Sequence, residues 1–411
     1  MRLFHQIRRT ANRSRTSSEQ RPELPVSSAR HHKERAVSLI RQERLLLIPI
    51  AVAIIAWFSE HAVLEMGQAA SLIGAAILIA AIVVGSMRVA HHAEILAHKV
   101  GDPYGTMILT LSAVAVEVLI LAIMMNNGSS PTLVRDTIYS AVMLDINGIL
   151  GLAALLGGLK HGEQSYNDDS GKTYGVMILT AMGISMIVPE FVPRDRWQYY
   201  SVFTIGAMIA LYALFLRMQV GTHSYFFSYS YPGRQSARPW DQPSALLQAE
   251  EAPVAEEAQE GSTIWSIAVI LFGVVLIGVL AEIMSVMMDA GLEGTGAPIA
   301  LTAILVAGIS AAPEILTALR AALRNRMQAV VNIAMGASLS TVILTVPVME
   351  AIALYTGQPF VMAMTPVQTT MVAITLVAAA INLNDGETNA IEGMTHFVLF
   401  ATFIMLAFLG L

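Results

Sequence analysis

Cysteine is absent from the 411 residues, which excludes disulfides, Cys-ligated zinc, iron–sulfur clusters and thiol catalysis together. Charge is nearly as scarce. Asp, Glu, Lys and Arg make up 13% of the chain, about half the share usual in a soluble domain, whereas hydrophobic residues make up 55% and the mean hydropathy is +0.61. So little charge cannot clothe a water-facing surface, and the composition is that of an all-α polytopic membrane protein. No stretch interleaves basic and aromatic residues as a nucleic-acid surface does, so the expected partners are membrane lipid and small ions.

What is present is a series of apolar stretches near the spanning length of about 20 residues. They lie at roughly 45–59, 66–87, 104–125, 137–159, 174–192, 198–216, 263–288, 297–319, 329–354, 361–382 and 392–411, and predict eleven transmembrane helices. Residues 1–44 carry eleven Lys/Arg and no apolar core, so they read as a disordered basic tail rather than a signal peptide. With that tail in the cytoplasm, eleven spans leave only Arg135, Arg194 and Arg196 of the 24 Lys/Arg on the far side. The expectation is a multi-pass protein of a bacterial inner membrane, with its N-terminus cytoplasmic and its C-terminus periplasmic.

The longest hydrophilic break, residues 219–262, contains the acidic run from Glu250 to Glu260 and reads as a solvated cytoplasmic linker. It separates a first helix (45–65) and a set of five (66–218) from a second set of five (263–411). An odd number of spans per set threads the second set upside down, which is the geometry of an inverted repeat. A faint internal echo agrees: Ala93-Glu-Ile-Leu near the end of the second helix resembles Ala281-Glu-Ile-Met near the end of the seventh. Glu94 and Glu282 would then face opposite sides of the membrane, as gating or proton-access groups.

Two acids stand out against this background. Glu117 is the only charged residue between Gly105 and Val134, and Glu314 the only one between Gly294 and Leu319. A lone ionisable group at the bilayer centre costs about 2.5 kcal/mol or more and by default marks an ion or proton pathway. One such acid can glue helices together by hydrogen bonding, but two at matching places in two halves argue for a shared site. Ser310 lies four residues before Glu314 and so shares its face. Pro313 lacks an N–H and is expected to kink that helix and free carbonyl oxygens. An all-oxygen set suits calcium, sodium, potassium or protons as transported species, with no resident cofactor. Asp145, Asn147 and Ser338, on the fourth and ninth spans, are further candidates for that shell. Glu350, after Pro347, reads as an interfacial or proton-access carboxylate. His91, His92 and His98 read as solvated helix-end residues, and Met284, Met287 and Met288 as adaptable packing.

At these residues the chain resembles the cation/proton exchangers of the calcium/cation antiporter superfamily, and most closely their bacterial calcium(sodium)/proton antiporters. The matching pieces are Ala115-Val-Glu-Val-Leu-Ile120, Ser130-Pro-Thr-Leu-Val-Arg-Asp-Thr-Ile-Tyr-Ser140, Gly157-Gly-Leu-Lys-His-Gly-Glu-Gln-Ser-Tyr-Asn167, Thr222-His-Ser, Ala312-Pro-Glu-Ile-Leu316, and the stretch from Arg324 to Ser338 leading into Thr345-Val-Pro347. The resemblance implies a first helix plus two inverted repeats of five, with Glu117 and Glu314 as a shared cation and proton site and an acidic segment between the halves. One departure matters. The family's Gly-Asn-Ala-x-Glu motif reads Ala113-Val-Ala-Val-Glu117 and Ser310-Ala-Ala-Pro-Glu314 here, so Val114 and Ala311 replace two amides. Sodium or potassium exchange thus stands beside calcium exchange as an expectation. An intramembrane enzyme would need a nucleophile–base pair or metal triad within the spans, and a channel would need charge rings or a filter loop. The sequence offers neither pattern.

Overall fold

The computed structural model describes residues 43–100, 104–127, 130–220, 224–229, 263–358 and 360–411. The basic tail to residue 42 and the acidic run from Glu250 to Glu260 lie outside the described residues. The packed body extends from Leu45 to Leu411.

Eleven helices make up that body among the described residues: α1 (Leu47–Glu65), α2 (Gln68–Val100), α3 (Tyr104–Asn126), α4 (Leu133–His161), α5 (Asp168–Phe191), α6 (Trp197–Val220), α7 (Thr263–Leu292), α8 (Ile299–Leu323), α9 (Met327–Thr356), α10 (Pro366–Asn382) and α11 (Ala390–Phe408). Nine are long and apolar enough to cross a membrane, and α3 and α10 contribute shorter apolar segments. Hydrocarbon offers no partner to a bare N–H or C=O, so apolar runs of this length close their hydrogen bonds within each helix. Polar residues set the ends. The Asn167 side chain accepts from Asp169 N at the start of α5, and Thr365 and Gln368 form a reciprocal capping box opening α10, with Pro366 in its first turn. Gly357, at φ 69°, closes α9 in a left-handed turn.

The helix pairings repeat with the halves exchanged. α2 and α7 lie against each other. α2 meets α8 as α7 meets α3, α4 meets α8 as α9 meets α3, α4 meets α11 as α9 meets α6, and α5 meets α9 as α10 meets α4. Adding five to one helix number and subtracting five from the other converts each contact into its partner, as two inverted five-helix repeats require. α1 packs on α2 and α7, outside that relation. Met284, Met287 and Met288 are buried in the core.

Helix α2 runs 33 residues, about 50 Å at 1.5 Å per residue, well beyond a 30 Å hydrocarbon core. Its last turns therefore stay helical past the apolar stretch that predicted it. His92 is not solvated there, contrary to the sequence expectation. It is buried, with Nδ1 3.3 Å from Ser266 Oγ on α7, because the first turn of α7 packs against α2 at this level. His91 is half-buried beside it.

Two polar clamps occupy corresponding places. Where α4 begins, Asp136 accepts from Arg135 (2.8 and 2.9 Å), from Thr132 (2.8 Å) and from Gln368 of α10 (2.8 Å), while Arg135 also donates to Ala363 O at 2.8 Å. Where α9 begins, Gln328 accepts from Asn167 N at 2.7 Å and donates to Ser170 of α5 at 3.1 Å and to Asn332 at 2.9 Å. The first clamp is ionic and the second neutral. The loops following α4 and α10 also pair as short antiparallel strands, β1 (Gln164–Ser165) and β2 (Glu387–Thr388), with Gln164 opposite Thr388.

Helices α4 and α11 cross closely. A Cβ on Gly393 would lie 2.1 Å from Leu155 N, and one on Gly158 would lie 2.3 Å from Ala390 N, so only glycine permits this approach. Gly393→Val is expected to separate the helices and destabilise the fold by about 1–3 kcal/mol or more, read as a lower melting temperature of the detergent-solubilised protein. Asp136→Ala leaves a buried guanidinium unpaired and is expected to lose about 3–5 kcal/mol. Gln328→Ala in the neutral clamp should lose about 1–3 kcal/mol, so the same melting assay should rank the two clamps.

Candidate cation site

The site lies where α3 and α8 face the middles of α4 and α9. Neither α3 nor α8 departs from the α-helix, even at Pro313. The facing helices widen into π-helical turns at Leu144–Leu150 and Thr341–Thr345. Such turns loosen backbone bonding, shift side-chain register and are frequent at functional sites. Two of the three π turns among the described residues occur in corresponding helices of the two repeats, each beside one of the lone glutamates; the third, Gly183–Ile187, lies in α5.

Those glutamates share one cavity of about 30 Å³, lined by Ala113, Val114 and Glu117 of α3, Ala141 and Asp145 of α4, Ser310, Ala311 and Glu314 of α8, and Ala337, Ser340 and Thr341 of α9. The volume is about that of one water molecule in the liquid. Glu117 is 3% exposed and Asp145 2%. Glu117 Oε2 accepts from Thr341 Oγ1 at 3.1 Å and Thr345 Oγ1 at 3.2 Å, whereas its Oε1 is buried without a hydrogen-bond partner among the described residues. Glu314 Oε2 is in the same condition. Asp145 Oδ2 accepts from Ser338 at 3.2 Å. No Lys, Arg or His lines the cavity. Among the described residues no three acidic or histidine side chains form a chelating cluster, so the carboxylates surround the space without closing on one point.

The sequence-predicted residues divide accordingly. Glu117, Glu314, Ser310 and Asp145 line the cavity; Ser338 stands one layer behind, holding Asp145. The hydroxyl of Ser310 donates to Ala307 O at 3.0 Å, leaving its lone pairs as acceptors. Asn147 does not reach the cavity. Two residues from Asp145, it lies on another face of α4, donating to Thr375 of α10 at 2.7 Å and pairing through Oδ1 with His396 Nδ1 of α11 at 2.9 Å. Glu350 does not line the cavity. It is buried between α9 and α6, where Thr204 donates to it, because the last turns of α9 pack on α6. Glu94 and Glu282 are exposed and are not brought to the cavity. Thr341 and Thr345 went unrecognised in the sequence. Their signal was a cluster of hydroxyls, Ser338, Ser340, Thr341 and Thr345, within one apolar span.

A bundle of two inverted repeats with buried acids from both halves around a central cavity defines a secondary transporter of ions. The chain belongs to the sodium/calcium exchanger protein family, which it matches over residues 70–221 and 265–409. The matched segments contain the greater part of α2–α6 and of α7–α11. It is 29% identical to the sodium-potassium/proton antiporter ChaA of Escherichia coli (strain K12), over 91% of this chain and 99% of that protein. It is also 29% identical to the putative ionic transporter y4hA of Sinorhizobium fredii, over 88% and 95%. Among solved structures it resembles the Ca2+/H+ antiporter protein YfkE with a TM-score of 0.68 at 17% identity, over 89% of this chain and 99% of that one.

The placement of Asn147 has a measurable consequence. Asn147→Ala leaves His396 and Thr375 without their partner and is expected to lower stability by about 1–3 kcal/mol. The half-effective cation concentration for exchange should stay within about twofold of wild type, since a change of no more than about 0.5 kcal/mol is expected for a group outside the cavity.

Proposed function

We propose that the protein is an antiporter that moves calcium out of the cytoplasm in exchange for protons, with Glu117 and Glu314 as the shared binding groups. One observation carries this reading: acids from two inverted halves border the same cavity, and each presents a buried carboxylate oxygen with no hydrogen-bond partner among the described residues. Bare carboxylates in a medium of low dielectric are penalised by lost hydration and by mutual repulsion. Either a metal cation or protons relieve that penalty, so the two occupants compete. If only occupied states change the side to which the cavity opens, each cation carried one way obliges protons to return.

A second reading, exchange of sodium or potassium for protons, has its own support. Val114 and Ala311, which stand where related motifs carry asparagine, both line the cavity and contribute no oxygen. The similar proteins include one named for sodium-potassium/proton exchange and one named for Ca2+/H+ exchange. In either reading Ser310 supplies a neutral oxygen. The distribution of Lys and Arg supports an inner-membrane placement with the N-terminus cytoplasmic and the C-terminus periplasmic. Within this scheme Glu94 and Glu282 serve proton access from opposite faces. Glu117 and Glu314 are the cation-coordinating acids of a carrier rather than the catalytic groups of an enzyme.

The test uses inverted membrane vesicles holding a preset proton gradient. Adding the transported cation should collapse the gradient in wild type. Glu117→Gln and Glu314→Gln should abolish the response, at least a hundredfold in rate, while each protein still reaches the membrane and melts cooperatively. Wild-type exchange in either variant would remove the pair from the mechanism.

A further inference from the structure

The cavity holds a third acid that the pairing of repeats does not require. Asp145 and Thr341 lie at the start of the π-helical turns of α4 and α9, each four residues after a cavity-lining alanine, Ala141 and Ala337. They are counterparts in the two halves, yet one is an anion and the other a neutral hydroxyl. Thr341 binds Glu117 directly. Asp145 has Ser338 as its hydrogen-bond donor and otherwise faces a space bounded by two more carboxylates and no cationic side chain. An acid buried to 2% exposure beside two others is electrostatically costly unless a cation offsets it.

We infer that Asp145 is a specificity-determining residue that sets the preference of the site for divalent over monovalent cations. It acts through its charge. The carboxylates do not close into a chelating cluster, so Asp145 need not touch the ion to influence it. Its contribution is a field, and the attraction of an ion to a fixed charge scales with the charge of the ion. Removing one carboxylate at a given distance therefore weakens a divalent ion by about twice the free energy lost by a monovalent one, so that the fold-change for the divalent ion is about the square of that for the monovalent. Three surrounding carboxylates thus favour a doubly charged ion, offsetting the two amides missing at Val114 and Ala311. This inference rests on exchange at Glu117 and Glu314.

The experiment titrates Ca2+, Na+ and K+ separately against a preset proton gradient in vesicles holding wild type, Asp145→Asn or Asp145→Glu. In Asp145→Asn, the half-effective Ca2+ concentration should rise at least tenfold while those for Na+ and K+ rise about threefold, the square root of the calcium effect. Asp145→Glu should keep the wild-type ratio. Monovalent exchange retained in Asp145→Asn shows that the variant is folded. If that variant moves nothing, Asp145→Glu decides: a preserved calcium preference supports the assignment, and a lost one overturns it. Equal shifts for all three ions, no shift, or a wild type that answers to Na+ or K+ but not to Ca2+ also overturn it, leaving the exchange mechanism standing. A wild type that answers to no cation removes the exchange mechanism itself.

Discussion

Everything about the centre of this molecule follows from carboxylates placed where water and counter-charges are scarce. Glu117 and Asp145 are almost fully buried, Glu314 presents a buried oxygen, and no basic side chain lines the cavity between them. Here their compensation is hydroxyl groups, at Thr341, Thr345 and Ser338, which soften the burden without removing it. Two hydroxyl donors reach Glu117 Oε2 and none reaches Oε1, so one side of the carboxylate is held and the other is kept available. The arrangement is stable only as a partner to something positively charged and mobile.

The duplicated architecture explains how the acids meet. Each repeat alone would carry one lone glutamate on a continuous α-helix beside a helix with a widened turn. Inverting one repeat against the other brings α3 to α9 and α8 to α4, and both glutamates then border one space. Two departures from the duplication involve charge. Asp145 faces Thr341 as its counterpart, and the ionic clamp around Asp136 corresponds to the amide clamp around Gln328. The first difference puts an extra charge at the cavity, whereas the second lies at the helix ends and leaves the cavity unchanged.

Much of this was legible in the sequence because a bilayer writes large signals. Apolar runs gave eleven helices, the odd number per half gave the inversion, and the isolation of Glu117 and Glu314 marked the centre. What stayed hidden depended on helix face and on register shifts. Asn147 lies only two residues from Asp145, and nothing linear says that it turns toward His396 instead. Pro313 suggested a distortion in α8, but the loosened backbone lies across from it, in segments whose sequence gives little warning: Leu144–Leu150 contains one glycine and no proline. Thr341 and Thr345 resemble ordinary helix-packing hydroxyls until α9 is set against α3. The burial of His92 and Glu350 likewise depends on neighbours remote in the chain.

The small strand pair between the loops after α4 and α10 bears on how such a machine can move. Backbone hydrogen bonds join Gln164–Ser165 to Glu387–Thr388, and the glycine-lined crossing of α4 with α11 lies close behind them. A slip of one residue would turn every side chain of the ribbon to its opposite face, so the tie behaves as a rivet rather than a sliding joint. The four helices it links, α4, α5, α10 and α11, are thereby fastened into one frame drawn from both repeats. Sliding α4 and α5 against α10 and α11 would have to break these backbone hydrogen bonds, a cost that movement of the helices outside the frame does not carry.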